Sequence, residues 1–124
     1  MFQTLVPDAV DANALFEKNN PVYDFVFKNM TIDVKYSSLY SGGNTNYWRI
    51  RCKGKQDFIV AFLEREQSTG VDNPYCLLLP MDFVDMKYMH ISLSGSWFKE
   101  FQVEQEELRG ILNDYAELRE IGQF

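Results

Sequence analysis

Two continuous apolar runs set the strongest limit on how this chain folds. Residues 57–63 read DFIVAFL and residues 75–79 read YCLLL. Each run has the length of a β-strand, and a strand that is apolar on both faces must be covered on both sides. The chain has 124 residues, of which 46% are hydrophobic, enough to build one domain with a substantial core. We therefore predict a central sheet that is covered on both faces.

Helices are predicted near the two ends of the chain. Asp8 is suited to cap a helix over residues 8–18, which Asn19-Asn20-Pro21 would end. An apolar stripe at helical spacing predicts an amphipathic C-terminal helix at about 103–119. Three acids would lie in the first turn of that helix, where the helix dipole favours them: Glu104, Glu106 and Glu107.

Between these helices the sequence predicts strands and one long loop. Residues 38–46 (SLYSGGNTN) have the composition of a flexible loop. The predicted strands cover residues 22–27, 31–37, 47–52, 57–63, 75–79 and 88–93. This order predicts an α+β fold, a mixed sheet with flanking helices, in a single domain over residues 1–124.

The cysteines and the hydropathy favour a cytoplasmic protein. Cys52 and Cys76 are the only cysteines, and neither lies at metal-ligand or redox-motif spacing, so we expect two buried free thiols. No apolar run approaches the roughly 20 residues of a membrane-spanning helix. The opening MFQTLVPDAVD has no basic segment before an apolar one, so we expect no signal peptide.

The predicted hairpin around residue 28 brings together groups that carry chemistry. Strand side chains alternate, so Asp33 and Lys35 share one face of their strand. If Lys28-Asn29 forms a two-residue turn, Asp24 lies opposite Asp33, with their Cβ atoms roughly 4.5–5.5 Å apart. Facing carboxylates repel unless they share a proton or hold a cation. Hard oxygen ligands on a rigid hairpin suit Mg²⁺, and Lys35 beside them is placed to act on an attacking water.

These residues resemble the motif of a nuclease superfamily. Pro21-Val-Tyr-Asp24 followed by Asp33-Val34-Lys35 is similar to the PD-(D/E)xK pattern, an acid on one strand before an acid-x-lysine on the next. The strands that follow resemble those of its small resolvase-like and intron-homing endonucleases, over residues 8–93. The chain departs from the pattern in having Tyr23 before Asp24 and only a short connection at 53–56. Asp85-Met86-Lys87, with Asp72 upstream, matches the same tripeptide, but it lies in a segment that reads as a turn or short helix.

The resemblance implies a restriction-endonuclease-like core and a role for each motif residue. Asp24 and Asp33 would be metal ligands, together with the carbonyl of Val34, and Lys35 would act on the attacking water. Glu17 would be an additional acid from the first helix. The implied cofactor is Mg²⁺, with Mn²⁺ as a substitute. The implied partner is DNA, and a homodimer or homotetramer would cut two strands.

The charge distribution limits how such a protein would bind DNA. A net charge of −6 argues against a general nucleic-acid binder, because phosphate neutralisation needs basic residues. Residues 28–57, however, contain six basic residues and two acids. The predicted DNA contacts come from this segment: Arg49, Arg51, Lys53, Lys55 and Tyr40.

The sequence therefore favours a metal-dependent DNA endonuclease of homing or resolvase type. The first alternative is a catalytically inactive binding module on the same scaffold, such as an inhibitor or immunity factor. A further alternative is an assembly protein that uses the amphipathic C-terminal helix.

Overall fold

The computed structural model describes residues 1–12, 24–42, 45–52, 54–67 and 72–123. The helices are α1 (Phe2–Leu5), α2 (Ser96–Phe101) and α3 (Leu108–Glu120), with short 3-10 helices at Met81–Phe83 and Gln105–Glu107. The strands are β1 (Val10–Asp11), β2 (Phe25–Phe27), β3 (Met30–Ser37), β4 (Tyr40–Gly42), β5 (Thr45–Arg51), β6 (Phe58–Leu63), β7 (Tyr75–Pro80), β8 (Tyr88–Ile91) and β9 (Gln102–Val103).

Two sheets organise these strands. The larger has the order β1-β2-β3-β6-β7-β9, and the smaller has the order β4-β5-β8. In the larger sheet β3 and β6 run parallel, and the other pairs are antiparallel. The predicted α+β fold with a mixed sheet and flanking helices is confirmed. Among the described residues, no helix is both long enough and apolar enough to cross a membrane.

The two apolar runs form β6 and β7 at the centre of the larger sheet, as predicted. All six residues of β6 are buried. Phe58, Val60 and Phe62 face a helix-side core that includes Phe2, Leu108, Leu112 and Ala116. Ile59, Ala61 and Leu63 face a sheet-side core that includes Trp48, Ile50, Met89, Ile91 and Phe98. The smaller sheet and α2 therefore cover one face of the larger sheet, while α1 and α3 cover the other.

The predicted N-terminal helix over residues 8–18 does not begin at Asp8, and among its described residues Ala12 is helical whereas residues 8–11 are not. Val10 and Asp11 form β1 and pair with Val26 and Phe25 of β2. This pairing covers the edge of the hairpin, and the edge would otherwise leave backbone groups without ladder partners. Asp8 does not cap a helix; its carboxylate accepts hydrogen bonds from Arg109. The rest of that prediction, including Asn19-Asn20-Pro21, lies outside the described residues.

The predicted C-terminal helix exists but begins later than expected. Residues 102–103 pair with β7, and α3 starts only at Leu108. Glu106 and Glu107 therefore belong to the preceding 3-10 helix, and the first turn of α3 contains no acid. The free edge of β7 explains the difference, because strand pairing there competes with extending the helix.

The predicted loop at 38–46 is also corrected. Tyr40–Gly42 forms β4, which pairs with the first residues of β5. The smaller sheet packs over the larger one. This packing places residues 40–42 beside β5 as a strand partner, which their composition alone does not indicate. The prediction of two free, buried cysteines is confirmed for Cys52 and Cys76.

Candidate functional site

The β2–β3 hairpin has the geometry that the sequence predicts. Lys28 and Asn29 form the turn, with Lys28 in the left-handed region at φ 53°. The register pairs Phe27 with Met30, and Phe25 with Ile32. Asp24 therefore comes immediately before β2, at the level where Asp33 lies on β3.

Hydrogen bonds hold Asp24 at the edge of β3. Its backbone N–H donates to the carbonyl of Ile32 at 3.0 Å, and its carbonyl accepts the N–H of Ala12 at 2.9 Å. Its carboxylate Oδ2 accepts the N–H of Val34 at 2.8 Å. Where β2 pairing ends, the Asp24 side chain thus replaces a backbone acceptor and is fixed beside residues 33–35.

Asp33 is the buried member of the site. Only 6% of the residue is exposed, and its Oδ2 lies 2.9 Å from the Nζ of Lys35. Burial and a hydrogen bond with the Asp24 carboxyl raise the pKa of Asp33 to about 6, against the opposing effect of Lys35. The two carboxyl groups are therefore close enough to share a proton.

This donor set fits a divalent cation. Two adjacent carboxylates, one of them destabilised as an anion by burial, are groups that a hard cation would stabilise. N–H and C=O groups of one strand residue point to the same side, so the carbonyl of Val34 lies on the Asp24 side of β3. Among the described residues, no group of three or more His, Cys, Asp or Glu side chains could hold a metal ion.

The structure brings some predicted residues together and places others elsewhere. Asp24, Asp33, Val34 and Lys35 form one site, whereas Glu17 and Lys53 lie outside the described residues. Lys55 lines a separate surface cavity with Asp57 and Arg119. The other predicted DNA contacts, Tyr40, Arg49 and Arg51, lie on the outer face of the smaller sheet.

The competing tripeptide lacks the geometry of this site. Asp85 lies in an irregular segment between a 3-10 helix and β8, and it is exposed. Its side chain therefore has neither a strand to position it nor the burial that distinguishes Asp33.

Comparison with known proteins finds similarity in structure and none in sequence. No protein-family model matches the chain, and no curated protein matches it in sequence. Among solved structures, the bacterial homing endonuclease I-Ssp6803I is similar, with a TM-score of 0.46 and 17% sequence identity. The match covers 86% of this chain and 79% of that one. At this similarity, function has to be argued from the residues of this chain.

Several side chains around the site were not singled out by the sequence patterns. Burial raises the pKa of the Cys52 thiol, and the positive charge of Lys35 partly offsets this increase. The hydroxyl of Ser37 accepts the N–H of Arg49 at 3.1 Å and so links β3 to β5. The alternation of residues 31–37 already places Ser37 on the face of Lys35, but its link to β5 depends on tertiary packing.

Proposed function

We propose that this protein is a metal-dependent endonuclease that hydrolyses phosphodiester bonds in DNA, of the homing or resolvase type. The observation that carries the proposal is the grouping of the Asp24 carboxyl, the buried Asp33 carboxyl and the Lys35 ammonium beside the middle of β3. If these residues only stabilised the hairpin, the Asp24 carboxyl would not need to lie beside the buried Asp33 carboxyl.

Each residue has a distinct task in this proposal. Asp24 and Asp33, with the carbonyl of Val34, would hold Mg²⁺ or Mn²⁺. When bound, the ion would neutralise charge that develops on the phosphate. Lys35 is partly exposed, with 31% of its side chain accessible, and Asp33 holds its ammonium in place. From there Lys35 orients the attacking water and stabilises the phosphate, while Arg49 and Arg51 contact the DNA backbone.

A plasmid-nicking assay tests the proposal. The wild type should nick supercoiled plasmid with Mg²⁺ or Mn²⁺ and lose this activity in a chelator. Asp33→Asn and Lys35→Ala should each reduce the rate at least about 100-fold, because each removes a group that contacts the reacting centre. Asp114→Asn and Lys99→Ala are matched controls on the exposed surfaces of α3 and α2, and they should retain the wild-type rate.

Equal nicking by the wild type and both site variants would remove the proposal. Calorimetric titration with Mn²⁺ adds a measurement that does not depend on turnover. Mn²⁺ should bind the wild type and Lys35→Ala, and it should fail to bind Asp33→Asn.

An inactive binding module is the second candidate, and a specific observation favours it. The Asp24 carboxylate already accepts the Val34 N–H, and Asp33 is already paired with Lys35, so both acids have partners in the protein alone. This candidate predicts that neither Mg²⁺ nor Mn²⁺ changes the melting temperature. The nuclease proposal predicts a rise that Asp33→Asn abolishes.

Oligomeric state belongs to the same proposal. A small nuclease with one site per chain needs a second copy to cut both strands of a duplex, so we propose a homodimer or homotetramer. Light scattering with and without a DNA duplex would measure this.

A further inference from the structure

The outer face of the smaller sheet, formed by β4, β5 and β8, has a composition unlike the rest of the surface. Along β5 the side chains alternate: Trp48 and Ile50 enter the sheet-side core, and their neighbours point outward. The outward positions of the three strands combine aromatic and basic residues and include no acid: Tyr40, Thr45, Tyr47, Arg49, Arg51, Tyr88 and His90. We call this surface the outer face.

Three rings form a row across the outer face, one from each strand. The rings of Tyr40 and Tyr47 have centroids 5.7 Å apart and are inclined by 25°. The rings of Tyr47 and His90 have centroids 5.2 Å apart and are inclined by 7°. β4 and β8 are the two edges of this sheet as described, so the ends of the row are not covered by a further strand. Tyr40 at one end is 49% exposed.

Positive charge lies beside the row. The Arg49 guanidinium lies over the Tyr88 ring at 5.1 Å, and the Lys87 ammonium lies 5.8 Å from the same ring. Arg49 and Arg51 are exposed, so their N–H donors remain accessible. In a protein of net charge −6, this face is therefore suited to an anionic partner that also carries aromatic groups.

β5, which carries the arginines of the outer face, lies beside β3 of the candidate metal site. The N–H of Arg49 donates to Ser37 on β3, and Cys52, next after β5, lies within the electrostatic influence of Lys35. The N–H of Cys52 donates to the carbonyl of Lys87 at 2.7 Å. From Arg51 to Tyr47 the strand covers about 13 Å, at about 3.3 Å per residue. Along β5, the two arginines therefore lie between Cys52 and the aromatic row.

We infer that the outer face binds unpaired nucleotides, with bases stacking on the ends of the Tyr40–Tyr47–His90 row and phosphates contacting Arg49 and Arg51. Bases within a duplex are covered by their neighbours, whereas an unpaired base can present its ring face to an aromatic side chain. This inference rests on the proposed function and narrows its substrate class. The preferred substrate is a nucleic acid with a single-stranded segment next to the bond that is cut.

Fluorescence anisotropy in a chelator, where no cleavage occurs, tests the inference. The probes are a labelled 15-nucleotide oligo(dT) and a blunt duplex of equal length. The wild type should bind the single strand more tightly than the duplex. Tyr47→Ala should weaken single-strand binding roughly 5- to 100-fold, in line with the loss of base stacking, and leave duplex binding unchanged. Tyr47→Phe keeps the ring and should bind like the wild type.

A second variant keeps the inference testable if Tyr47→Ala does not fold. Tyr40 is at the sheet edge and half exposed, so Tyr40→Ala should fold even if Tyr47→Ala does not. It should also weaken binding of the single strand, and Tyr40→Phe should not. Arg49→Ala and Arg51→Ala should each reduce the dependence of single-strand affinity on salt, by a slope of about 0.7 for each lost phosphate contact.

The outcomes separate this inference from the proposed nuclease activity. Asp33→Asn should retain full oligo(dT) binding while losing cleavage. Tighter binding of the duplex, no binding of either probe, or wild-type affinity in Tyr40→Ala would overturn the inference. Cleavage of fully paired plasmid in those cases would leave the proposed nuclease standing with a duplex substrate.

Discussion

Asp24 takes part in two interactions with opposite effects on the free energy of unfolding. Its Oδ2 accepts the Val34 N–H at 2.8 Å, which satisfies a backbone donor where β2 pairing has ended. Its negative charge lies beside the buried carboxyl of Asp33, and that contact is unfavourable when both groups are ionised. Substitutions that remove the charge but keep the oxygen can separate the two effects.

We predict opposite results for two substitutions of Asp24 in metal-free protein at pH 8. Asp24→Ala removes the acceptor for the Val34 N–H and should lower the free energy of unfolding by about 1–2 kcal/mol. Asp24→Asn keeps an acceptor oxygen and removes the repulsion, so it should be at least as stable as the wild type. Urea denaturation in a chelator measures both. An asparagine variant as unstable as the alanine variant would show that the charge of Asp24 is not a cost in the metal-free protein.

The sequence predicts much of this site and misses its finer geometry. Alternation places Asp33 and Lys35 on one face of β3, and the two-residue turn brings Asp24 to the level of Asp33. Both conclusions follow from strand geometry. The contact between the Asp24 carboxylate and the Val34 backbone was not predicted, because it depends on where β2 pairing stops. Burial of Asp33 was also not predicted, because it depends on how β5 packs over β3.

Among the elements, one arginine of α3 contacts both the hairpin and the start of β6. The Nη2 of Arg119 lies 2.8 Å from the Oδ1 of Asp57, and its Nη1 lies 2.7 Å from Oδ2. Nη1 also donates to the carbonyl of Asn29 at 3.0 Å. Asp57 in turn accepts the N–H of Thr31 at 2.8 Å. The C-terminal turn of α3 is thus fixed to the start of two parallel strands.

We predict that Arg119→Ala lowers the free energy of unfolding by about 2 kcal/mol, because it leaves a partly buried carboxylate without its bidentate partner. The matched control is Arg109→Ala. Arg109 also forms a bidentate pair, with Asp8, but both of those side chains are almost half exposed. Its loss should change stability much less than the loss of Arg119, because solvent screens an exposed ion pair. Similar losses in both variants would contradict the structural role given to Arg119.

The effect of Arg119→Ala should depend on pH. Burial alone would raise the pKa of Asp57, but the hydrogen bonds from Arg119 and Thr31 outweigh it and hold that pKa below its ordinary value of 3.8. A carboxylate with a lowered folded-state pKa stabilises the fold above its unfolded pKa and loses that effect as pH falls through the folded value. Urea denaturation from pH 7 to pH 2 should therefore show the difference between wild type and Arg119→Ala shrinking below about pH 4. A constant difference over this range would be inconsistent with the ion pair.

Helices and strands were predicted correctly where the local sequence determines them, and incorrectly where pairing with a distant strand determines them. Continuous apolar residues sufficed for β6 and β7. Residues 10–11 and 103 were assigned to helices because their own sequence permits a helix, but they lie in strands that complete the edges of a sheet built from distant residues. The polar composition of residues 38–46 likewise did not predict β4, because β4 forms by pairing with β5 in the smaller sheet.

At the scale of the molecule, β6 and β7 belong to both hydrophobic cores. Val60 and Leu78 contribute to the helix-side core, and Ile59 and Leu77 contribute to the sheet-side core. Neither core is complete without these two strands. The helices and the smaller sheet should therefore unfold together, although they lie on opposite faces of the larger sheet.

Leu112→Ala in a Trp97→Phe background tests this coupling. Leu112 is fully buried in the helix-side core, so its truncation should lower the free energy of unfolding by about 2–4 kcal/mol. Trp48 would then be the only tryptophan, 2% exposed in the sheet-side core, and its fluorescence reports that core alone. Circular dichroism at the helix band reports mainly α3. Because β6 and β7 are shared, the midpoints in denaturant should shift equally by both probes. A Trp48 midpoint that stays at the parent value while the helix midpoint falls would mean that the two cores unfold independently, and that the smaller sheet is a separate folding unit.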